Sequence, residues 1–189
     1  EELRQAVFAE YGDAANLVAL TKLRMYCTHP FLVRKGRGNP QETSTKYQRL
    51  VEILEEIVES GEKALIFTSY NEMADILTAD LRDRFQIWCQ YIDGRVPVPE
   101  RQTIVDHFGI HAGPAVLVLN PRAAGTGLNI VAANHVVHYN LEWNPAIEDQ
   151  ASARAFRRGQ KLPVTVHRLY YANTVEEVID DRLARKREL

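Results

Sequence analysis

A parallel α/β sheet with helices on both faces is the architecture that this 189-residue sequence encodes. Three patterns point there. Short segments such as ALIFTS (64–69) and AVLVLN (115–120) are apolar at odd and even positions alike, as strands buried on both faces require. Stretches with helical spacing of apolar residues separate them. Helix-start chemistry precedes several of those stretches: Thr45 with Gln48 and Thr174 with Glu177 have capping-box spacing, and Asn144-Pro145 has the residue types of an N-cap and first helical position.

Taken in chain order, residues 13 to 27 read as helix, with Leu17, Leu20, Leu23 and Arg24 at helical spacing. RKGRGNPQETST (34–45) combines Gly, Pro and polar residues without apolar periodicity and reads as a linker. It divides a helical lead-in (1–40) from the main domain (41–189). Thr45 opens a helix whose Tyr47, Leu50, Val51, Leu54, Ile57 and Val58 share one face, and Gly61 offers its stop. The strand 64–69 follows, then helix 71–84 and strand 87–92. Pro99 suits the first turn of a helix carrying Ile104, Val105 and Phe108. After strand 115–120 comes the loop NPRAAGTGLN, then strand 135–140. Asn144-Pro145 starts a helix expected to run to about Arg158. Strand 164–171 and a last helix along Val175, Val178, Ile179 and Leu183 complete the chain. In such sheets ligands bind beyond the carboxyl ends of the strands, so the loops after Ser69, Asn120 and Asn140 are the places to look.

Apolar residues at 46% and charged residues at 25% suffice for a core and exclude general disorder. No uncharged run approaches the roughly 18 residues of a membrane span. The opening EELRQAVFAE is charged and amphipathic, unlike a signal region. Two cysteines, Cys27 and Cys89, build no disulfide framework, which makes a reducing intracellular setting the expectation. The net charge of −2 means that any nucleic-acid contact must come from a local basic surface. Zinc ligation by Cys27, His29 and Cys89 lacks the usual spacing, and His135 and His138 point to opposite faces of a strand, so no metal site is expected.

The densest constellation is QASARAFRRGQ (150–160). On a helix, Gln150, Arg154 and Arg157 project from one side, and two guanidiniums there form a permanently charged clamp for phosphate oxygens. The plainer alternative is a solvated basic helix end. The surroundings decide. EWNPAIEDQASARAFRRGQ resembles motif VI, with its preceding WNP segment, of the Swi/Snf-type branch of superfamily-two helicase-like ATPases. Trp143, Asn144, Pro145, Gln150, Ala151, Arg154, Ala155, Arg157, Gly159 and Gln160 match in register. KLRMYCTHPFLV (22–33) resembles the family's lead into its second lobe, ALIFTSY (64–70) motif IV, and VLNPRAAGTGLNIVAANHVVHYN motif V with the following strand. IDGRVPVPERQTIVDHF (92–108) resembles the family's DG…ERQ stretch, in which Arg101 matches without an assignable role.

The resemblance implies a RecA-like parallel sheet with helices on both faces, the second lobe of a P-loop NTPase-like motor. It implies that Arg154 and Arg157 reach ATP as arginine fingers from the open rim of the sheet, with Gln150 in support. Fingers of this kind contribute roughly 10³–10⁵ in rate. Gly125, Gly127 and Asn129 would face the nucleotide. Thr68, Ser69, Asn120 and Arg122 would contact the backbone of double-stranded DNA, although Ser69 and Glu72 also have capping-box spacing. Two departures stand out: Ala123-Ala124-Gly125-Thr126-Gly127 where the family reads AGGxG, and Asn120-Pro121 where it often has a hydroxyl pair. No GxxxxGK[ST] loop, no Gly-Lys dipeptide and no DExH-type acidic pair occurs. ATP and Mg²⁺ would therefore be held mainly by an N-terminal lobe, and this lobe alone is expected to be inactive. Expected partners are that lobe, double-stranded DNA and DNA-bound proteins, without a membrane. A bacterial cytoplasm is favoured over a eukaryotic nucleus. The competing reading is a non-catalytic helicase-like module that binds nucleic acid or protein.

Overall fold

The computed structural model describes residues 14–123, 127–156 and 159–187, together with Gln5 and Ala9. Helix α1 spans Ala15–Thr28 and is followed by two short helices, α2 (Phe31–Arg34) and α3 (Pro40–Thr43). Then α4 (Thr45–Glu59), β1 (Lys63–Phe67), α5 (Asn71–Phe85), β2 (Trp88–Ile92), α6 (Val98–Ile110) and β3 (Ala115–Leu119) alternate. The chain continues through β4 (His135–His138), α7 (Pro145–Ser152), β5 (Thr165–Arg168) and α8 (Val175–Arg187).

All described strand pairs are parallel, in the order β2-β3-β1-β4-β5. Side chains of successive residues leave opposite faces of a strand, and β1 shows the result. Ala64 and Ile66 join Tyr47, Leu50 and Leu54 of α4 and Met73, Leu77 and Leu81 of α5. Leu65 and Phe67 join Val105 and Phe108 of α6 and Ala151 of α7. The sheet is thus covered on both faces, as its doubly apolar strands require.

Local departures from the sequence reading have physical causes. The N-cap of α4 is Ser44, whose hydroxyl accepts from the Tyr47 N–H, one residue before the expected Thr45. The 34–45 linker is not loose chain. His29 bonds the Pro40 carbonyl at 3.0 Å, and Arg84 of α5 donates to Gln41 and Asn39. Gly36 sits so close to the Phe31 ring that a Cβ there would lie 2.2 Å from it. Thr174 caps α8, but its hydroxyl accepts from the Glu176 N–H, and Glu177 accepts from the Asn173 N–H instead of closing a box with Thr174. Helix α7 ends at Ser152, well before Arg158, and residues 153–155 continue as turns. Gln150 and Arg154 therefore do not share one continuous helical face.

Candidate functional site

Strand β1 lies between β3 and β4, and the carboxyl ends of these three strands bring six polar residues together. Thr68 donates its hydroxyl to Asn140 Oδ1 at 2.7 Å, and the Ser69 N–H donates to the same oxygen at 3.2 Å. Asn140 Nδ2 donates back to Ser69 Oγ at 3.3 Å. Asn120 Nδ2 reaches the Ser69 carbonyl at 3.4 Å, while its Oδ1 accepts the Arg122 N–H at 2.9 Å. The Ser69 hydroxyl donates to the Glu142 carboxylate, and the Arg122 guanidinium lies 3.7 Å from that carboxylate.

The four residues expected to meet a phosphate backbone are therefore neighbours, but they are not equivalent. Thr68 is buried, and its hydroxyl is directed inward to Asn140, so it supports the cluster from beneath. Ser69 does not cap α5, which starts after Tyr70 with no side-chain cap bond. Arg122 extends into solvent with 74% of its side chain exposed. Asn140 and Glu142 are the members that sequence reasoning missed. Their signal was position: Asn140 follows β4 as Ser69 follows β1, and carboxyl ends of parallel strands converge.

The second assembly joins the glycine loop to the arginine segment. Arg154 Nη1 donates to the Leu128 carbonyl at 3.5 Å, and the Ile130 N–H donates to the Arg154 carbonyl at 3.2 Å. Arg154 is only 7% exposed, so it does not stand on an open rim as expected. The reason is local: the helix stops at Ser152, and the following turns pack Ala155 into the core and draw Arg154 down with it. Gln150, Gly127 and Asn129 are exposed, and Gly127 has φ +85°, a conformation that suits glycine. Arg157 and Gly125 lie outside the described residues.

Buried polar side chains brace both assemblies. Arg101 is 8% exposed and donates to the carbonyls of Val96 at 3.0 Å, Ala123 at 3.3 Å and Asp93 at 3.5 Å. That resolves its role: it pins the base of the glycine loop to the turn after β2. Gln160 donates to the Val131 and Ala133 carbonyls at 3.0 and 2.6 Å, fixing the return of the same loop. Arg168 of β5 contacts Glu148 of α7 at 2.7 Å and also pairs with Asp180 of α8. Trp143 packs beside Leu141, Ile179 and Leu183 and has two guanidiniums over its ring, Arg24 at 5.4 Å and Arg182 at 5.5 Å from the centroid. The basic end of α8 is exposed, and from it Lys186 donates to the Trp143 carbonyl and Arg187 lies 2.7 Å from Asp149.

A family described as "helicase conserved C-terminal domain" matches residues 45–159. The chain belongs to that family. YwqA of Bacillus subtilis, described as an ATP-dependent helicase/translocase, is 39% identical over 175 residues, covering 92% of this chain and 19% of that protein. The mouse SWI/SNF-related matrix-associated actin-dependent regulator of chromatin subfamily A member 1 is 36% identical over 176 residues, covering 86% of this chain and 16% of that protein. The solved Sulfolobus solfataricus SWI2/SNF2 ATPase core in complex with dsDNA superposes with a TM-score of 0.79 at 32% identity, covering 99% of this chain and 40% of that one. The C-terminal domain of the same organism's SWI2/SNF2 ATPase gives 0.76 at 30% identity, covering 100% and 78%. This helicase lobe is of the Swi/Snf type and has the RecA-like fold of those C-terminal domains. It spans less than a quarter of the length of the two relatives named.

Gly127 is exposed, and the carbonyl of the next residue, Leu128, accepts from the buried Arg154 guanidinium. Among the described residues, no group of three or more His, Cys, Asp or Glu side chains is placed to hold a metal ion. Also among the described residues, no helix is long and apolar enough to cross a membrane.

Proposed function

We propose that this chain is the C-terminal motor lobe of an ATP-dependent double-stranded DNA translocase or remodeller. One observation carries the reading. The segment between β3 and β4 begins in the polar cluster, where Asn120 and Arg122 sit, and ends zipped to Arg154 through Leu128 and Ile130. A single loop therefore touches both the candidate DNA surface and the candidate nucleotide surface. In this reading Arg101 on the Ala123 carbonyl and Arg154 on the Leu128 carbonyl are the points at which the two surfaces are held to the lobe.

In this reading Ser69, Asn120 and Arg122 meet the DNA backbone, with Thr68 and Asn140 positioning them, and the contacts carry no sequence preference. Gly127 and Asn129, with Gly125, line the nucleotide side. Arg157 and Arg154 supply positive charge to ATP from this lobe, Arg154 from its anchored position on the Leu128 carbonyl, and Gln150 assists. When bound, ATP supplies the phosphoanhydride whose cleavage drives the cycle, and Mg²⁺ comes with an N-terminal lobe that holds most of the nucleotide. Arginines delivered across a cleft act only on closure, which ties lobe position to nucleotide state. The lobe alone would then be inactive. The substrate would be double-stranded DNA, with displaced DNA-bound proteins as further partners.

A non-catalytic binding module is the second reading, and the burial of Arg154 is what favours it. ATP hydrolysis by the full-length protein, with and without duplex DNA, separates the two. The motor reading expects Arg157→Ala and Arg154→Ala to abolish DNA-stimulated turnover while duplex binding persists. Near-normal turnover in both variants removes the finger assignment. No turnover in the parent protein favours the binding module.

A further inference from the structure

Glu142 is out of place in a surface that meets phosphates. Its side chain is only 6% exposed, yet it lies 3.7 Å from the Arg122 guanidinium and accepts the Ser69 hydroxyl. A carboxylate that accepts the hydroxyl and attracts the guanidinium by charge competes with a phosphate oxygen for both groups. Arg122 itself is 74% exposed, so a group in solution can reach its guanidinium.

We infer that the Glu142 carboxylate is an internal phosphate surrogate: in the DNA-free lobe it accepts the Ser69 hydroxyl and pairs by charge with Arg122, and a backbone phosphate of duplex DNA takes both groups from it. The inference rests on the DNA-contact reading of the cluster given above. Binding at this point is an exchange of anions and not a simple gain. The displaced carboxylate stays buried near the incoming phosphate, so the net affinity per contact is low. A translocase needs such a contact, because each phosphate must be released as readily as it is captured.

The test measures binding of the full chain to a short DNA duplex, without nucleotide, across a range of salt concentrations. Glu142→Gln keeps the shape and an acceptor for Ser69 but removes the charge. It is expected to bind the duplex about 3- to 10-fold more tightly. The salt slope of log K is expected to steepen by up to about 0.9, since one more protein cation becomes free to neutralise a phosphate. In an Arg122→Ala background the gain from Glu142→Gln should shrink below about twofold, which a general loss of negative charge would not produce. Glu142→Asp, which draws the carboxylate back from Arg122, should give a smaller gain and serves if the glutamine variant does not fold. Affinity and slope both unchanged in a folded Glu142 variant overturn the inference. A gain that persists undiminished without Arg122 also overturns it. Failure of the underlying reading looks different: Arg122→Ala then leaves duplex affinity unchanged in the Glu142→Gln background as well as in the parent.

Discussion

The Lys46 ammonium lies 2.5 Å from the Glu176 carboxylate, with 2% and 3% of the two side chains exposed. The pair ties the first turn of α4 to the first turn of α8, 130 residues away in sequence. Burial pushes the lysine's pKa down, and the Glu176 charge and hydrogen bond oppose that shift. Lys46 also donates to the Tyr139 carbonyl at 3.3 Å, and the other Glu176 oxygen accepts the Tyr171 N–H at 2.8 Å. Both charges are thus hydrogen-bonded on more than one side.

Removing one partner leaves the other charged and buried. Glu176→Leu or Lys46→Met alone is expected to destabilise the lobe by about 3–5 kcal/mol, whereas the double variant recovers most of that loss. Urea unfolding of the two single variants and the double variant checks this. A double variant as unstable as the sum of the singles would mean that the pair is not the coupling element.

His138 gives a pH dependence with a definite sign. Burial in the core pushes its pKa from the ordinary histidine value of about 6.5 down to about 4. Its Nε2 bonds Ser152 Oγ at 2.8 Å, and its ring stacks on Phe67. Between these two values the unfolded chain binds a proton that the folded lobe refuses. Stability is therefore complete above about pH 6.5 and declines as pH falls towards 4, by on the order of 3 kcal/mol. Thermal melts of wild type and His138→Gln across this range check it: the variant should lose that part of the acid destabilisation.

Trp143 is expected to couple three segments through its ring. Arg24 on α1 and Arg182 on α8 lie over it, and Arg24 also donates to the Leu141 carbonyl at 3.1 Å. Double-mutant cycles of Trp143→Leu with Arg24→Ala and with Arg182→Ala should each return about 0.5–2 kcal/mol of coupling energy. A cycle near zero for Arg24 would show that its side chain holds the lead-in helix through the bond to the Leu141 carbonyl and not through the Trp143 ring.

The strands and most helices were legible along the chain because their signals are local. Doubly apolar runs mark a sheet buried on both faces, and Asn144-Pro145 and Thr174 announce helices wherever the chain goes afterwards. The family was legible for the same reason, since its motifs are contiguous. Ser44 in place of Thr45 as a cap, and the stop of α7 at Ser152, were not. The first turns on backbone geometry at adjacent hydroxyl residues. The second turns on Ala151 and Ala155 reaching the core under β3 and β4.

Sequence by itself determined the parallel α/β architecture, the helicase family and the set of residues worth examining, because period, capping and contiguous motifs are properties of neighbours along the chain. Only the tertiary structure decided what those residues do to one another. It turned Thr68 inward to Asn140, buried Arg154 against the Leu128 carbonyl, gave Arg101 its loop to hold, and set Glu142 against Arg122. Each of these depends on where strand ends and loops converge in space, and a buried polar group must find its partner wherever packing places it.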